Sequence, residues 1–217
     1  MILSARPLLS GVDPGVWNSD YAKTGRAKLA DSIRGLNAVR SGDAVTTNVI
    51  AHSYGTTTAA YGLTESGVHV NSFVTVASAG IPDSIPTADH LNADSVFSGQ
   101  AENVNRLTDG TIPFLREGEG DQWAATGRNL STDHHIDPTW SVFGSHTFGA
   151  DGASGFNGVT DHGVHTSGGT GYLDKDTESL RNVAHATTGQ SDEMTAYHPK
   201  GIAALQEDVI DYMESRR

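Results

Sequence analysis

No cysteine occurs among the 217 residues, which excludes disulfide staples and thiolate metal sites while leaving the compartment open. Basic residues are scarce: 14 Lys and Arg face 26 Asp and Glu, a formal net charge of −12. Most of such a surface repels a polyphosphate backbone, so nucleic acid is not an expected partner. Long apolar runs are also missing. Nothing approaches the roughly 20 residues that span a bilayer, and the first residues lack the basic-then-apolar order of a secretion signal, so a soluble chain is expected. Glycine, in contrast, is plentiful at 25 residues and concentrates in the second half, which points to long ordered loops.

The length suits one domain, 1–217. Apolar residues at helical spacing (Ala22, Ala27, Leu29, Ala30, Ile33, Leu36, Val39) predict an amphipathic helix over 19–40, broken by Ser41-Gly42-Asp43. The β-branched run in 44–51 predicts a strand buried on both faces. A helix is expected over 56–63 and a second buried strand over 72–77, ending in Ser78-Ala79-Gly80-Ile81-Pro82. Strand, helix, strand is a βαβ unit, and its natural product is a mostly parallel sheet with helices on both faces. Further along, a helix is expected over 87–94, a weak strand over 102–107, and closing helices over 179–186 and 199–213. The stretch from 118 to 171 shows no sustained periodicity and is too long for a plain connection. It reads as a Gly/His-rich cap or lid, about 116–171.

The chemistry concentrates at Ala51-His52-Ser53-Tyr54-Gly55, a small-x-Ser-x-Gly turn between a buried strand and a helix. A nucleophile on so tight a turn needs small residues two before and two after it, where neighbouring backbone crowds in, and Ala51 and Gly55 meet that need. A helix opening at Tyr54 directs its free N–H groups toward a reacting oxygen, so the Tyr54 N–H is the first candidate oxyanion donor. A serine hydroxyl needs a base, and the base needs an acid to orient it. In the order Ser, acid, His, Asp109 follows the expected strand 102–107 and Asp83 is the second choice. Among the late histidines, His165 is preferred because it precedes the helix 179–186, with His162 its main rival.

Several stretches resemble an actinobacterial α/β-hydrolase family that is lipase-like in motif. Ala51-His52-Ser53-Tyr54-Gly55-Thr56 resembles its G-H-S-Y-G-S elbow, with Ala for the first Gly, and Gly25 to Leu36 is similar to its G-A-x-x-L-A…G-L helix. Thr75 to Gly80 resembles its strand ending in G-S-P-G, and Val142 to Phe148 its F-G-x-x-x-F segment. His165-Thr166-Ser167, Tyr172 and Ser179-Leu180-Arg181-Asn182 resemble its H-S-x-Y…S-L-x-N close, which supports His165 as base. Asp109-Gly110-Thr111-Ile112 is similar to its Asp-x-Ile with one residue inserted. The resemblance implies an α/β-hydrolase fold, cofactor-free, here N-terminally truncated. The strand within Leu3–Leu9 would then be left at an unpaired edge: either the missing strands come from another chain or an oligomeric contact, or the oxyanion hole is incomplete.

Three functions are compatible with these residues. The first is an esterase with Ser53 as nucleophile, His165 as base and Asp109 as orienting acid, acting on a small-molecule or lipid-like ester. The second is an inactive binding or structural module of this fold within a larger assembly, viral or secreted. The third is a metal-dependent hydrolase on Asp133, His134, His135 and Asp137, or on Asp161, His162 and His165. Trp123, Trp140, Phe143 and Phe148 are candidates for an acyl pocket or for pinning a loop to the core.

Overall fold

A computed structural model describes residues 2–4, 14–40, 45–102, 104 and 120–199. Among these residues five strands, β1 (Ile2–Ser4), β2 (Asn48–His52), β3 (Val70–Val76), β4 (Ala93–Gly99) and β5 (His146–Phe148), form one sheet. They lie in the order β1-β2-β3-β4-β5, every neighbouring pair parallel. The helices are α1 (Asp20–Val39), α2 (Gly55–Leu63), α3 (Gln122–Leu130) and α4 (Glu178–Thr187).

Alternation along the strands divides the apolar side chains between two cores, because successive residues point to opposite faces of a pleated sheet. Val49, Ala51, Phe73 and Val96 pack against Leu29, Ala30 and Ile33 of α1 and Ala59, Ala60 and Leu63 of α2. Val74, Val76 and Phe97 turn the other way, against Val183 and Ala186 of α4. Helices therefore cover both faces, as the βαβ pattern requires. On α1 the buried positions are Ala22, Leu29, Ala30 and Ile33, whereas Leu36 and Val39, expected on the apolar face, are exposed near its end. Gly62 lets α1 and α2 approach closely: a Cβ there would stand 2.9 Å from Leu29 Cδ2.

One element differs in type from the sequence expectation. The segment expected as a helix over 87–94 is a single 3₁₀ turn, Ala88–His90, followed by β4. The cause is tertiary: Val96 and Phe97 are neighbours that serve opposite cores, so β4 has no polar–apolar alternation, and its pairing in register with β3 decides its state. Of the strand expected over 102–107, Glu102 and Val104 are non-strand and the rest lies outside the described residues, as do Ser41-Gly42-Asp43 and most of the helix expected over 199–213. The strand expected within Leu3–Leu9 is β1 over Ile2–Ser4, its remainder outside the described residues.

The register sets the site. His52 pairs with Val76, and Val76 with Gly99, so the carboxyl ends of β2, β3 and β4 are flush. The loops that leave this edge carry Ser53, the turn Ser78–Gly80, and Gln100.

Candidate active site

Ser53 occupies the turn between β2 and α2 with φ of 56°, in the left-handed region. A serine held there costs on the order of 1–3 kcal/mol and persists only where its surroundings hold it. Three contacts do so. Ser53 N–H donates to the Val76 carbonyl at 3.2 Å, and its own carbonyl accepts the Thr56 N–H at 3.0 Å and the Thr56 hydroxyl at 2.7 Å. Ala51 and Gly55 are both buried against this turn. Tyr54 is the N-cap residue of α2, and its hydroxyl ties the turn to α1 by donating to the Asn18 carbonyl at 2.6 Å and accepting the Ala22 N–H at 3.2 Å.

The ring that meets Ser53 is that of His162. Its Nε2 lies 2.9 Å from Ser53 Oγ, and its Nδ1 lies 2.9 and 3.0 Å from the two carboxylate oxygens of Asp121. All three residues are almost fully buried. A carboxylate only accepts, so Nδ1 carries the proton, and Nε2 is left with a lone pair to accept from the Ser53 hydroxyl.

Asp121 is itself held from several sides. It is the N-cap of α3, its Oδ1 accepting the Trp123 and Ala124 N–H groups at 3.0 and 3.2 Å. Its Oδ2 accepts the Tyr172 hydroxyl at 2.9 Å, and that hydroxyl accepts the Ala101 N–H at 3.0 Å. Burial alone would push the carboxyl pKa up. The His162 ring, the helix N–H groups and the Tyr172 hydroxyl outweigh it and hold Asp121 below the usual carboxylate range. Tyr172, fully buried beside that charge, is driven well above the ordinary tyrosine range.

Around this pair the loops are pinned by buried polar groups. Arg128, in the last turn of α3, pairs with Asp137 at 2.7 Å and donates to the Ser78 carbonyl and to Gln100 Oε1. The Ser78 hydroxyl meets the Thr56 hydroxyl at 2.8 Å, which returns to the Ser53 carbonyl. Gly80 has φ of +120°, and a Cβ there would lie 1.8 Å from the His134 carbonyl oxygen, so only glycine fits that crossing.

His52 and Asp121 make stability depend on acid. Burial, then the neighbouring His162 ring, lowers the His52 pKa to about 3 from 6.5, and the Asp121 carboxyl is depressed. On acidification the unfolded chain takes up protons first at both groups. Stability therefore falls below about pH 6.5 on account of His52, and falls again as pH drops through the folded pKa of Asp121. The urea midpoint is expected to be lower at pH 5 than at pH 7, with a smaller difference in His52→Gln; equal differences in the two proteins would contradict this.

The residues expected from sequence separate into distinct places. Ser53 and Tyr54 are at the turn just described. His165 is not at Ser53: its side chain is 67% exposed and its Nδ1 pairs with Asp174 at 3.0 Å. The loop reverses at Gly163, whose N–H is held by Asp161 Oδ1 at 2.7 Å, and this turn sends His162 inward and His165 outward. The expectation of His165 beside the serine is thus corrected to His162. Asp109 lies outside the described residues. Asp83 is exposed and pairs with His135 at 2.8 Å, away from the serine.

Asp121 is not among the residues singled out from sequence, and Tyr172 enters there only as part of the resembled closing motif, with no role at the serine. Asp121 did carry a local signal, an Asp before Gln122-Trp123-Ala124-Ala125 that reads as a helix N-cap. The two candidate metal sets disperse to separate partners: Asp133 to Ser19 and Lys23, His134 to the Ala79 carbonyl, Asp137 to Arg128, and Asp161 to Gly163. Among the described residues no group of three or more His, Asp and Glu is placed to hold a metal ion. Phe143 and Phe148 are fully buried in the two cores, while the Trp123 ring lies 6.3 Å from that of His162. A cavity of about 270 Å³, lined by Asn48, Ser72 and Phe97 among others, opens at the amino ends of the strands, remote from Ser53.

Residues 6–107 match the alpha/beta hydrolase family model. With the all-parallel sheet and the strand–Ser53–helix turn, the match makes this an α/β-hydrolase fold and supports a hydrolase. It takes in Ser53 and ends before Asp121 and His162. Two proteins from two strains of Mycobacterium tuberculosis, both described as uncharacterized, are 27% identical over 189 residues. The aligned part is 85% of this chain and only 27% of theirs, so the chain spans about a quarter of the length of the relatives it matches. No solved structure matches. Among the described residues no helix is long and apolar enough to cross a membrane.

Proposed function

We propose that this α/β hydrolase is a serine esterase that works through a covalent acyl-enzyme, with Ser53 as nucleophile, His162 as general base and acid, and Asp121 as the orienting carboxylate. The observation that carries the reading is the 2.9 Å contact of His162 Nε2 with Ser53 Oγ while Nδ1 rests on Asp121. In the first half-reaction Ser53 Oγ attacks the ester carbonyl and its proton passes to His162 Nε2. The imidazolium is steadied by Asp121, and the Tyr54 N–H, at the open end of α2, donates to the developing oxyanion. Collapse expels the alcohol, which takes the proton back from Nε2. In the second, water gives a proton to Nε2, attacks the acyl carbon, and frees the acid with Ser53 reprotonated.

Hydrolysis of p-nitrophenyl esters of increasing acyl length tests the reading. The protein is expected to turn over the short esters at a rate proportional to its concentration, and Ser53→Ala to fall to the background. Equal rates in the two proteins, or no turnover of any ester, would reject it.

A further inference from the structure

His52 stands immediately before the serine and takes no part in the proton transfers above, yet its ring is directed at the base. It is 2% exposed, and its Nε2 is hydrogen-bonded to the backbone carbonyl of His162, 110 residues along the chain. A carbonyl only accepts, so Nε2 carries the proton and the His52 tautomer is set. The two imidazole rings lie 4.8 Å apart, tilted by 48°, and the Tyr172 ring flanks His52 at 5.9 Å. Nucleophile and base come from separate loops, and a loop residue is ordinarily mobile. Here the strand end that carries Ser53 also grips the main chain of the residue that must meet it.

We propose that His52 is a positioning residue that fixes the His162 backbone relative to Ser53, so that the base is held at hydrogen-bond distance before substrate arrives. This rests on the esterase reading. Two features of the geometry favour it over simple core filling. The bond goes to the base's own carbonyl, so losing it frees the residue whose placement governs the reaction. And the ring beside His162 has to stay uncharged when His162 becomes a cation, because two imidazolium rings this close repel; burial keeps His52 neutral far below neutral pH. Lys or Arg at position 52 would supply the donor but bring the charge.

The donor can be kept or removed at nearly constant volume. The amide nitrogen of Gln reaches about as far as Nε2, whereas Leu fills the space with no donor. The test is the rate at which a fluorophosphonate phosphonylates Ser53 in the wild type, His52→Gln and His52→Leu, with thermal melting to establish folding. Reacting groups displaced by about 1 Å lose up to about 100-fold in rate. The Leu variant is therefore expected to label about 10–100-fold more slowly, and the Gln variant to stay within about threefold of wild type. In ester hydrolysis the Leu variant should lose kcat with KM little changed. If Leu does not fold, Asn, too short to reach the carbonyl, replaces it with the same expectation. Wild-type labelling in the Leu variant, or a Gln variant as slow as Leu, would overturn the positioning role while leaving the esterase reading intact. A wild type that labels no faster than Ser53→Ala would overturn both.

Discussion

His162→Ala is expected to lower kcat/KM on a short acyl ester by about 10⁴-fold or more, whereas His165→Ala stays within about threefold of wild type. The contrast comes from two histidines three residues apart. One ring is buried with Nε2 at 2.9 Å from Ser53, and the other is largely exposed on Asp174. Without the imidazole, Ser53 keeps its proton and attacks as a neutral hydroxyl, and what catalysis remains comes from the oxyanion donor and substrate binding. Loss of activity in both variants would mean that the loop as a whole matters rather than one ring. Loss in His165→Ala alone would contradict the site described above.

Asp121→Asn should separate the two duties of Asp121. The amide oxygen can still accept the Trp123 and Ala124 N–H groups, so α3 keeps its cap. The amide nitrogen, however, now faces His162 Nδ1, and two donors cannot bond. The ring is driven to the other tautomer, with the proton on Nε2 and no lone pair toward Ser53. A fall in kcat of about 10⁴-fold is expected, equivalent to about 5 kcal/mol in the barrier. The change in folding stability should be smaller, about 1–3 kcal/mol, from the rearranged bonds to Tyr172 and His162. Asp121→Ala should be equally inactive and less stable again by about 0.5–2 kcal/mol, because the helix then loses its cap. Activity measurements and urea melts on the two variants check this; an Asn variant that retained a tenth of wild-type kcat would show that Asp121 does not set the tautomer.

How much was legible beforehand follows from how local each determinant is. The Ser53 turn was readable because it needs only a buried strand, two small flanking residues and a helix start, all within eight positions. The helices α1, α2 and α4 and the strands β2 and β3 announced themselves by periodicity or by β-branched runs. β4 did not, because its neighbours Val96 and Phe97 serve two different cores and only the pairing with β3 makes it a strand. The partners of Ser53 are harder still. Asp121 reaches the site through a helix cap in a Gly-rich region, and nothing in its neighbours tells a capping Asp from one that also orients a histidine. The choice between His162 and His165 turns on the reversal at Gly163 and on Asp174, which holds the outer side of the loop by accepting from His165, the Thr166 N–H and the Gly171 N–H. Such contacts emerge only once the loop has folded.

The proposed relay from Asp121 through His162 to Ser53 is tested most directly by locating the adduct of a fluorophosphonate by peptide mass mapping in the wild type, His162→Ala and His165→Ala. One modified residue is expected, Ser53, formed in the wild type and in His165→Ala and not in His162→Ala. Modification of a different residue, or undiminished modification of Ser53 without the His162 ring, would contradict the account.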